Sequence, residues 1–369
     1  MALNLDYYAP FFSIMVGGKA QPELKNAIIS LEIDENIESA SMFTMNINEG
    51  LDIKTQAFKW LDNKLLDPGE GEDIELYIGY VGNAQKSREL LITGRITSLS
   101  PSFPSTGSPT LTVQGYDKSF CMQKSVVKDK RTFKKEKDYK DVVKKITSEN
   151  KLEEGDIDDT ITPCEKITQN PGESDYNFVK RLADRLGYEF FVRNNKLYFR
   201  KPRDNEKEVM TLRWGRELIS FSPRLSTAKV VSKVTVKGHN RKNPAKPIIG
   251  TAKLDDLEFK ESKAKSAAES VKSCLKKEIE TSEHDFPVCN EEDAKALAKA
   301  LLIKANNSLI EGSCECIGIP KLRPGTNVQI EGIGKRFTGK YYIKSAKHSI
   351  GDSGYKLSFN VRRGGIGSI

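Results

Sequence analysis

The sequence predicts an α+β fold that is mainly β, with two small β-barrel-like domains, an intervening α/β domain and a helical insertion. Three observations carry that expectation. Apolar and polar side chains alternate in several runs of the first 120 residues, and alternation returns after about residue 226. Between these regions the apolar period lengthens to that of helices. A long helix-period run also interrupts the second β region. The domains are therefore placed at 1–120, 121–225 and 226–369, with the insertion at about 257–310.

In the first domain Ile29, Leu31 and Ile33 alternate with Ser30, Glu32 and Asp34, and Phe43, Met45 and Ile47 with Thr44, Asn46 and Asn48. Ile74, Leu76, Ile78 and Tyr80 make a third run. Each pattern is that of a strand with one wetted face. Residues 90–99 and 110–115 add two strands on either side of a Pro/Ser/Gly loop, and 55–66 has the pattern of a short helical insert. Strands joined this way suit a small barrel or sandwich.

The middle domain carries the strongest local signal. Residues 139–149 place Val142, Val143 and Ile146 on one helical face, and an acidic loop at 155–159 follows. Ser174 then stands as a helix cap, with Asp175 and Tyr176 in the first turn. Phe178, Val179, Leu182, Ala183 and Leu186 form one apolar face, Arg181 lies beside it, and Gly187 sits where a left-handed terminal residue belongs. Residues 188–193 and 196–200 are aromatic-rich strands across Asn194 and Asn195, a pair that tolerates the positive φ of a tight turn. Leu182 is expected in the core beside Phe190.

A second β-domain is expected to open with 229–237 and to resume at Gly312. Between them 291–309 is a helix capped by Asn290, with Ala294, Leu297, Ala298, Leu301, Leu302 and Ala305 turned inward as a cover for the barrel. Alternating strands over 319–350 and 354–363 close the chain.

At 369 residues the chain can build two or three cores, and 37% hydrophobic with 30% charged residues suits globular packing. No apolar run approaches the ~18 residues of a membrane span. Asp6 and Pro10 interrupt the N-terminal apolar residues and no basic region precedes them, so no signal peptide is expected. Cys121, Cys164, Cys274, Cys289, Cys314 and Cys316 lack paired zinc spacing, which predicts reduced, structural thiols and a cytosolic site of synthesis. The net charge of +8 is unevenly spread: residues 1–120 carry 9 basic and 16 acidic side chains, or minus 7, leaving 50 and 35, or plus 15. Lysines interleave with acids and no arginine–aromatic stripe appears, a pattern of surface solvation rather than nucleic-acid binding.

Motifs of catalysis fail on context. Gly334 to Lys340 has the spacing of a phosphate loop, but Tyr341 stands where Ser or Thr must hold magnesium, and a strand follows where a helix is needed. Asp156, Asp158 and Asp159 lack the alternate ligands, central Gly and terminal Glu of an EF-hand. His239, His284 and His348 accompany no nucleophile motif, and adjacent acids such as Glu153 and Glu154 lie in hydrophilic segments. The expectation is no catalytic residue, no metal and no cofactor.

Several segments agree, in order, with one known pattern. The first domain has Gly79-Tyr80, then Gly94-Arg95-Ile96-Thr97, a Pro-rich loop at 101–109, and Gly115-Tyr116-Asp117. The middle domain has Ser174, Asp175, Tyr176, Phe178, Arg181, Leu182, Ala183, Leu186, Gly187 and Phe190, and the last has Pro324, Gly325, Gly339, Tyr341, Tyr342, His348 and Gly354. Over nearly its whole length the chain thus resembles the late control protein D family, the central tail hubs of contractile phages, whose fold also forms the N-terminal part of VgrG spike proteins.

That resemblance implies a structural baseplate hub, not an enzyme. It would be a homotrimer whose two barrels per subunit make a six-unit ring between an inner tube and a spike. The protein would be made in the bacterial cytoplasm and built into a virion tail or injection particle. Longer members carry their own spike, so a separate spike protein is the expected partner here, beside the tube or its initiator and other baseplate proteins. Phage tail, bacteriocin and injection system all remain open. The alternative is a soluble basic β-rich module that binds nucleic acid or glycan; a hydrolase has no site to support it.

Overall fold

Strand pairing follows the alternation of the sequence. The computed structural model describes residues 9–367 apart from 69–70, 81–87, 135, 164–165, 239–245, 257–263, 267–279, 287 and 289. Ile28–Asn36 turns Leu31 and Ile33 inward and pairs antiparallel with Met42–Asn48, which pairs with Thr110–Asp117. The order continues through Glu89–Ser102 and Ile74–Tyr80 to Pro10–Val16. Their inward residues, among them Ile14, Phe43, Met45, Leu76, Ile78 and Val113, make one core.

Gly339–Gly351 is the strand on which two halves of one sheet meet. Residues 345–350 pair with Ile28–Asn36 of the first half, the start of the strand pairs with Asn327–Glu331, and Gly354–Arg363 runs along most of its length. Gly354–Arg363 pairs in turn with Ile310–Ile317, and that strand with Leu218–Leu225. Glu208–Arg213 adds parallel to Asn327–Glu331. The result is a 13-stranded sheet with a second, separate core that includes Leu212, Leu218, Cys314, Cys316, Tyr341 and Phe359. The fold is α+β and mainly β.

Non-local pairing moves several expected boundaries. Residues 208–225, assigned from sequence to the middle domain, belong by register with the second half, because Met210, Leu212 and Leu218 turn into its core. The expected opening strand at 229–237 instead forms Lys233–Gly238 in a separate three-stranded sheet with Ile248–Lys253 and Glu280–Phe286. Helix Glu291–Asn306 covers that small sheet rather than the barrel, packing Ala294, Leu297, Ala298 and Leu302 on Val234, Val236, Ile248 and Ala252. Much of the expected insertion before it lies outside the described residues, as do Cys164, Cys274, Cys289 and His239.

Residues 55–66 do not form a helix. The buried Glu49 carboxylate accepts from the amides of Gly50, Trp60 and Leu61, and Asp62 accepts from the amide of Phe58. These bonds draw the segment into a small hairpin, Leu51–Asp52 with Ala57–Phe58, and a 3-10 turn at Lys64–Leu66. Side-chain acceptors have here outcompeted helical backbone bonding.

In the middle domain Tyr139–Glu149, capped by Asp138, and Asp175–Leu186 pack on the hairpin of Glu189–Arg193 and Lys196–Arg200. Asn194 and Asn195 take φ of 48° and 66° at its turn. Glu153–Ile157 adds a parallel strand to that hairpin, so the acidic stretch is partly strand. Its acids are ion-paired: Asp156 with Arg200, Asp158 with Arg203 and Asp159 with Lys140. Among the described residues no helix is long and apolar enough to cross a membrane.

Candidate functional site

The residues singled out from sequence converge where three segments meet the start of one helix. Ser174 Oγ accepts from the Asn177 amide, a side-chain cap that supplies one of the free donors of the first turn. Asp175 is buried, and its carboxylate accepts from Ser125 Oγ at 2.7 Å, Asn150 Nδ2 at 2.9 Å and Gln169 Nε2 at 2.9 Å. It thereby ties together the linker after the first half, the preceding helix and the segment before its own helix.

The other motif residues extend the joint. Arg181 donates to both carboxylate oxygens of Glu173, at 2.7 and 2.9 Å, and to Thr168 O at 2.9 Å. Its guanidinium lies over the Phe178 ring, which stacks on Phe133 at 5.5 Å. Tyr176 packs against Phe190 at 5.1 Å, and Leu182 and Phe190 share one core that Leu186 flanks. Gly187 ends the helix at φ +69°, directly against Ala300 of the helix Glu291–Asn306. Two residues earlier Arg185 donates to both oxygens of Asp293, at 3.0 and 2.7 Å, a bond between those two helices that sequence reasoning missed.

A second constellation, also missed, locks the two halves of the sheet. Glu35 is buried, and Arg323 Nε donates to its two oxygens at 3.1 and 3.0 Å, while Arg323 Nη1 donates to Leu90 O at 2.8 Å. Arg193 Nε from the middle domain stands 3.6 Å from the same carboxylate. His348, read from sequence as a strand residue near a turn, is fully buried in that strand; its Nδ1 is 2.7 Å from Tyr355 Oη and its Nε2 is 3.6 Å from Glu35, longer than a hydrogen bond. Burial pushes the Glu35 carboxyl up, but the guanidinium groups of Arg323 and Arg193 outweigh it and hold it down at about 2. Burial lowers His348 below its usual value despite Glu35.

Beside this knot the Tyr342 hydroxyl donates to Glu189 at 2.5 Å, and Arg362 bridges Glu189 at 3.3 Å and Asp204 at 3.4 Å. Burial raises Glu189 and drives Tyr342 well above its usual value. Asp117, at the end of the first half, is pushed up by burial to about 6 although it accepts from the amides of Ser41 and Ser119. Each such group is enclosed by the segments it joins. Their charge-assisted bonds hold the joined segments to one another.

The sequence matches the family described as the Alg8 N-terminal domain over residues 9–352. The chain belongs to that family. Late control protein D remains a resemblance carried by the motifs. No curated protein matches in sequence. Among solved structures, this member of the Alg8 N-terminal domain family is similar to a tail protein from Neisseria meningitidis, at 15% identity and TM-score 0.65, covering 96% of this chain and 97% of that one. It is similar also to a prophage MuSo2 tail protein from Shewanella oneidensis, at 15% identity and TM-score 0.66, covering 96% and 98%. An Escherichia coli component of the type VI secretion system shares 11% identity at TM-score 0.54, covering 95% and 76%. At such identities the likeness is one of fold.

Proposed function

We propose that the chain is a structural, non-enzymatic hub of a contractile tail or injection particle, joining an inner tube to a spike. The observation that carries this reading is the pair of sheet halves sharing the strand Gly339–Gly351 and pinned by Arg323 and Glu35. A threefold assembly can meet a sixfold tube when each subunit presents two similar surfaces in fixed relation, and a cyclic arrangement closes the ring. The fold of the tail and secretion proteins named above supports the same assignment, and the motif resemblance to late control protein D narrows it to the central hub.

On this reading the protein is a homotrimer whose partners are a spike protein, the tube or its initiator, and other baseplate proteins. It is made in the bacterial cytoplasm and ends in an assembled particle. Acidic 1–120 of one subunit would face the basic remainder of the next, with charge steering encounter and apolar contact giving most of the affinity. Negative-stain imaging with mass measurement tests this. A hollow ring of three chains is expected, whereas a monomer that binds DNA with steep salt dependence would replace the hub with a basic binding module.

A further inference from the structure

At one end of the second half an exposed tryptophan stands in a basic rim. Trp214 is 59% exposed and Ile219, just past the bridge between Trp214 and Leu218, is 48% exposed. Arg213 and Arg216 beside them are exposed, as are Lys335 and Arg336 in the turn that follows Glu331, the strand residue paired with Arg213. That turn begins against the tryptophan, since a Cβ on Gly332 would lie 3.5 Å from Arg213 and 3.7 Å from the Trp214 side chain.

The platform is rigid. Trp214 N donates to Glu331 O at 3.1 Å, Arg216 N to Arg213 O at 3.1 Å and Gly215 N to Leu218 O at 3.2 Å, with Gly215 at φ +80°. On the other turn Thr338 N donates to Gly334 O at 3.0 Å, Tyr341 Oη to Phe337 O at 2.6 Å, and Phe337 packs on the core. A large aromatic held in water on fixed backbone loses little entropy on docking, and Trp and Arg dominate binding hot spots.

Charge selects the occupant. The two adjoining turns, 213–219 and 331–338, carry four cations and two acids, Glu217 and Glu331, for a balance of plus two. Both acids sit within the rim, Glu331 at 2.9 Å from Arg213 and Glu217 at 3.7 Å from Arg216. A continuous phosphate backbone would run against those carboxylates. A polypeptide can alternate acids with apolar side chains and avoid them.

We propose that this rim docks an acidic segment of a partner protein whose apolar side chain covers Trp214 and Ile219. The inference goes beyond the hub reading and does not depend on the ring, since a single chain carries the whole rim.

The test uses the full-length protein and a fluorescein-labelled synthetic peptide of Glu and Leu. Saturable binding is expected, weaker at high salt, and reduced about tenfold or more by Trp214→Ala and by Arg216→Glu with Arg336→Glu. Trp214→Phe should retain most of it. Because Trp60 is only 4% exposed, acrylamide quenching reports chiefly on Trp214 and should fall when peptide binds. Binding untouched by these variants overturns the proposal, as does no binding by a wild type of normal melting temperature. An oligo-dT that binds and loses affinity in the same variants overturns the protein occupant. So does an oligomer that dissociates in Trp214→Ala without any peptide binding, which would assign the rim to a second copy.

Discussion

Arg323 lies against Glu35 across 288 residues of sequence, its Nε 3.1 and 3.0 Å from the two carboxylate oxygens. The contact crosses the line where the first half of the sheet becomes the second, and Arg193 brings the middle domain to the same point. Each half has its own apolar core, with Ile350 and Tyr355 of the second half entering the first. The pairing of residues 345–350 with Ile28–Asn36 joins the halves, and a few buried charges, costly to desolvate but specific in geometry, reinforce the joint.

Breaking that pair from one side should therefore hurt more than removing it. Arg323→Met leaves Glu35 buried without its main partner and is expected to cost about 3–5 kcal/mol. Adding Glu35→Gln should recover part of the loss. Denaturant midpoints of the single and double variants measure this; a double variant as damaged as the sum of the singles would show that the two residues do not act as a pair.

Acid should loosen the same joint in stages. His348 is lowered below 6.5, so the folded state binds fewer protons; its contribution is complete above pH 6.5 and declines as pH falls below it. Glu35, held at about 2 against 4.5, contributes fully above 4.5 and progressively less toward pH 2. Asp117 acts oppositely: raised from 3.8 to about 6, it adds stability as pH falls through that window. Melting temperature should thus decline from about pH 7 to about pH 3, least steeply where Asp117 compensates. His348→Gln should flatten the slope near pH 6, and Glu35→Gln the slope below 4.5; a wild type with a level profile would remove both roles.

The helix Asp175–Leu186 was legible because its signals are local: a cap, an apolar face and a terminal glycine within fourteen positions. The charge knot was not, because its members are far apart in sequence. Yet Glu35 falls on the inward phase set by Leu31 and Ile33, and an acid at an inward position is itself a sign of a buried partner. Strands 208–225 were misplaced for a related reason, since their pairing with 310–317 and 327–331 has no local signature. The acidic strand Glu153–Ile157 was hidden by composition, its charges being offset by Lys196, Lys144 and Arg200.

Asp175 can be weighed against a simpler role. An acid in the first turn is worth only about 0.3–1 kcal/mol through the helix dipole. Asp175→Ala would remove the acceptor of Ser125 Oγ and leave Asn150 Nδ2 and Gln169 Nε2 with one acceptor each, Ile146 O and Glu173 O, and a hydrogen bond to a carboxylate contributes about 1.5–3 kcal/mol. A loss above about 2 kcal/mol in urea unfolding is expected. A loss within the dipole range would mean that the network contributes little.

Gly187 combines a backbone requirement with a close approach, and the two can be separated. At φ +69° an L side chain costs about 1–2 kcal/mol, and a Cβ would stand 2.9 Å from Ala300 Cβ and 3.0 Å from Ala300 Cα. The helices cannot simply part, since Arg185 and Asp293 clamp them nearby. Gly187→Ala should therefore cost about 2–5 kcal/mol, the dihedral strain plus overpacking of about 1–3 kcal/mol. Ala300→Gly alone should cost about 1 kcal/mol in propensity. Combined, it removes the crowded methyl and should make the double variant more stable than the sum of the singles by about 0.5–2 kcal/mol, leaving the dihedral strain behind. Strict additivity in unfolding measurements on the four proteins would mean that the helices do not touch at this point.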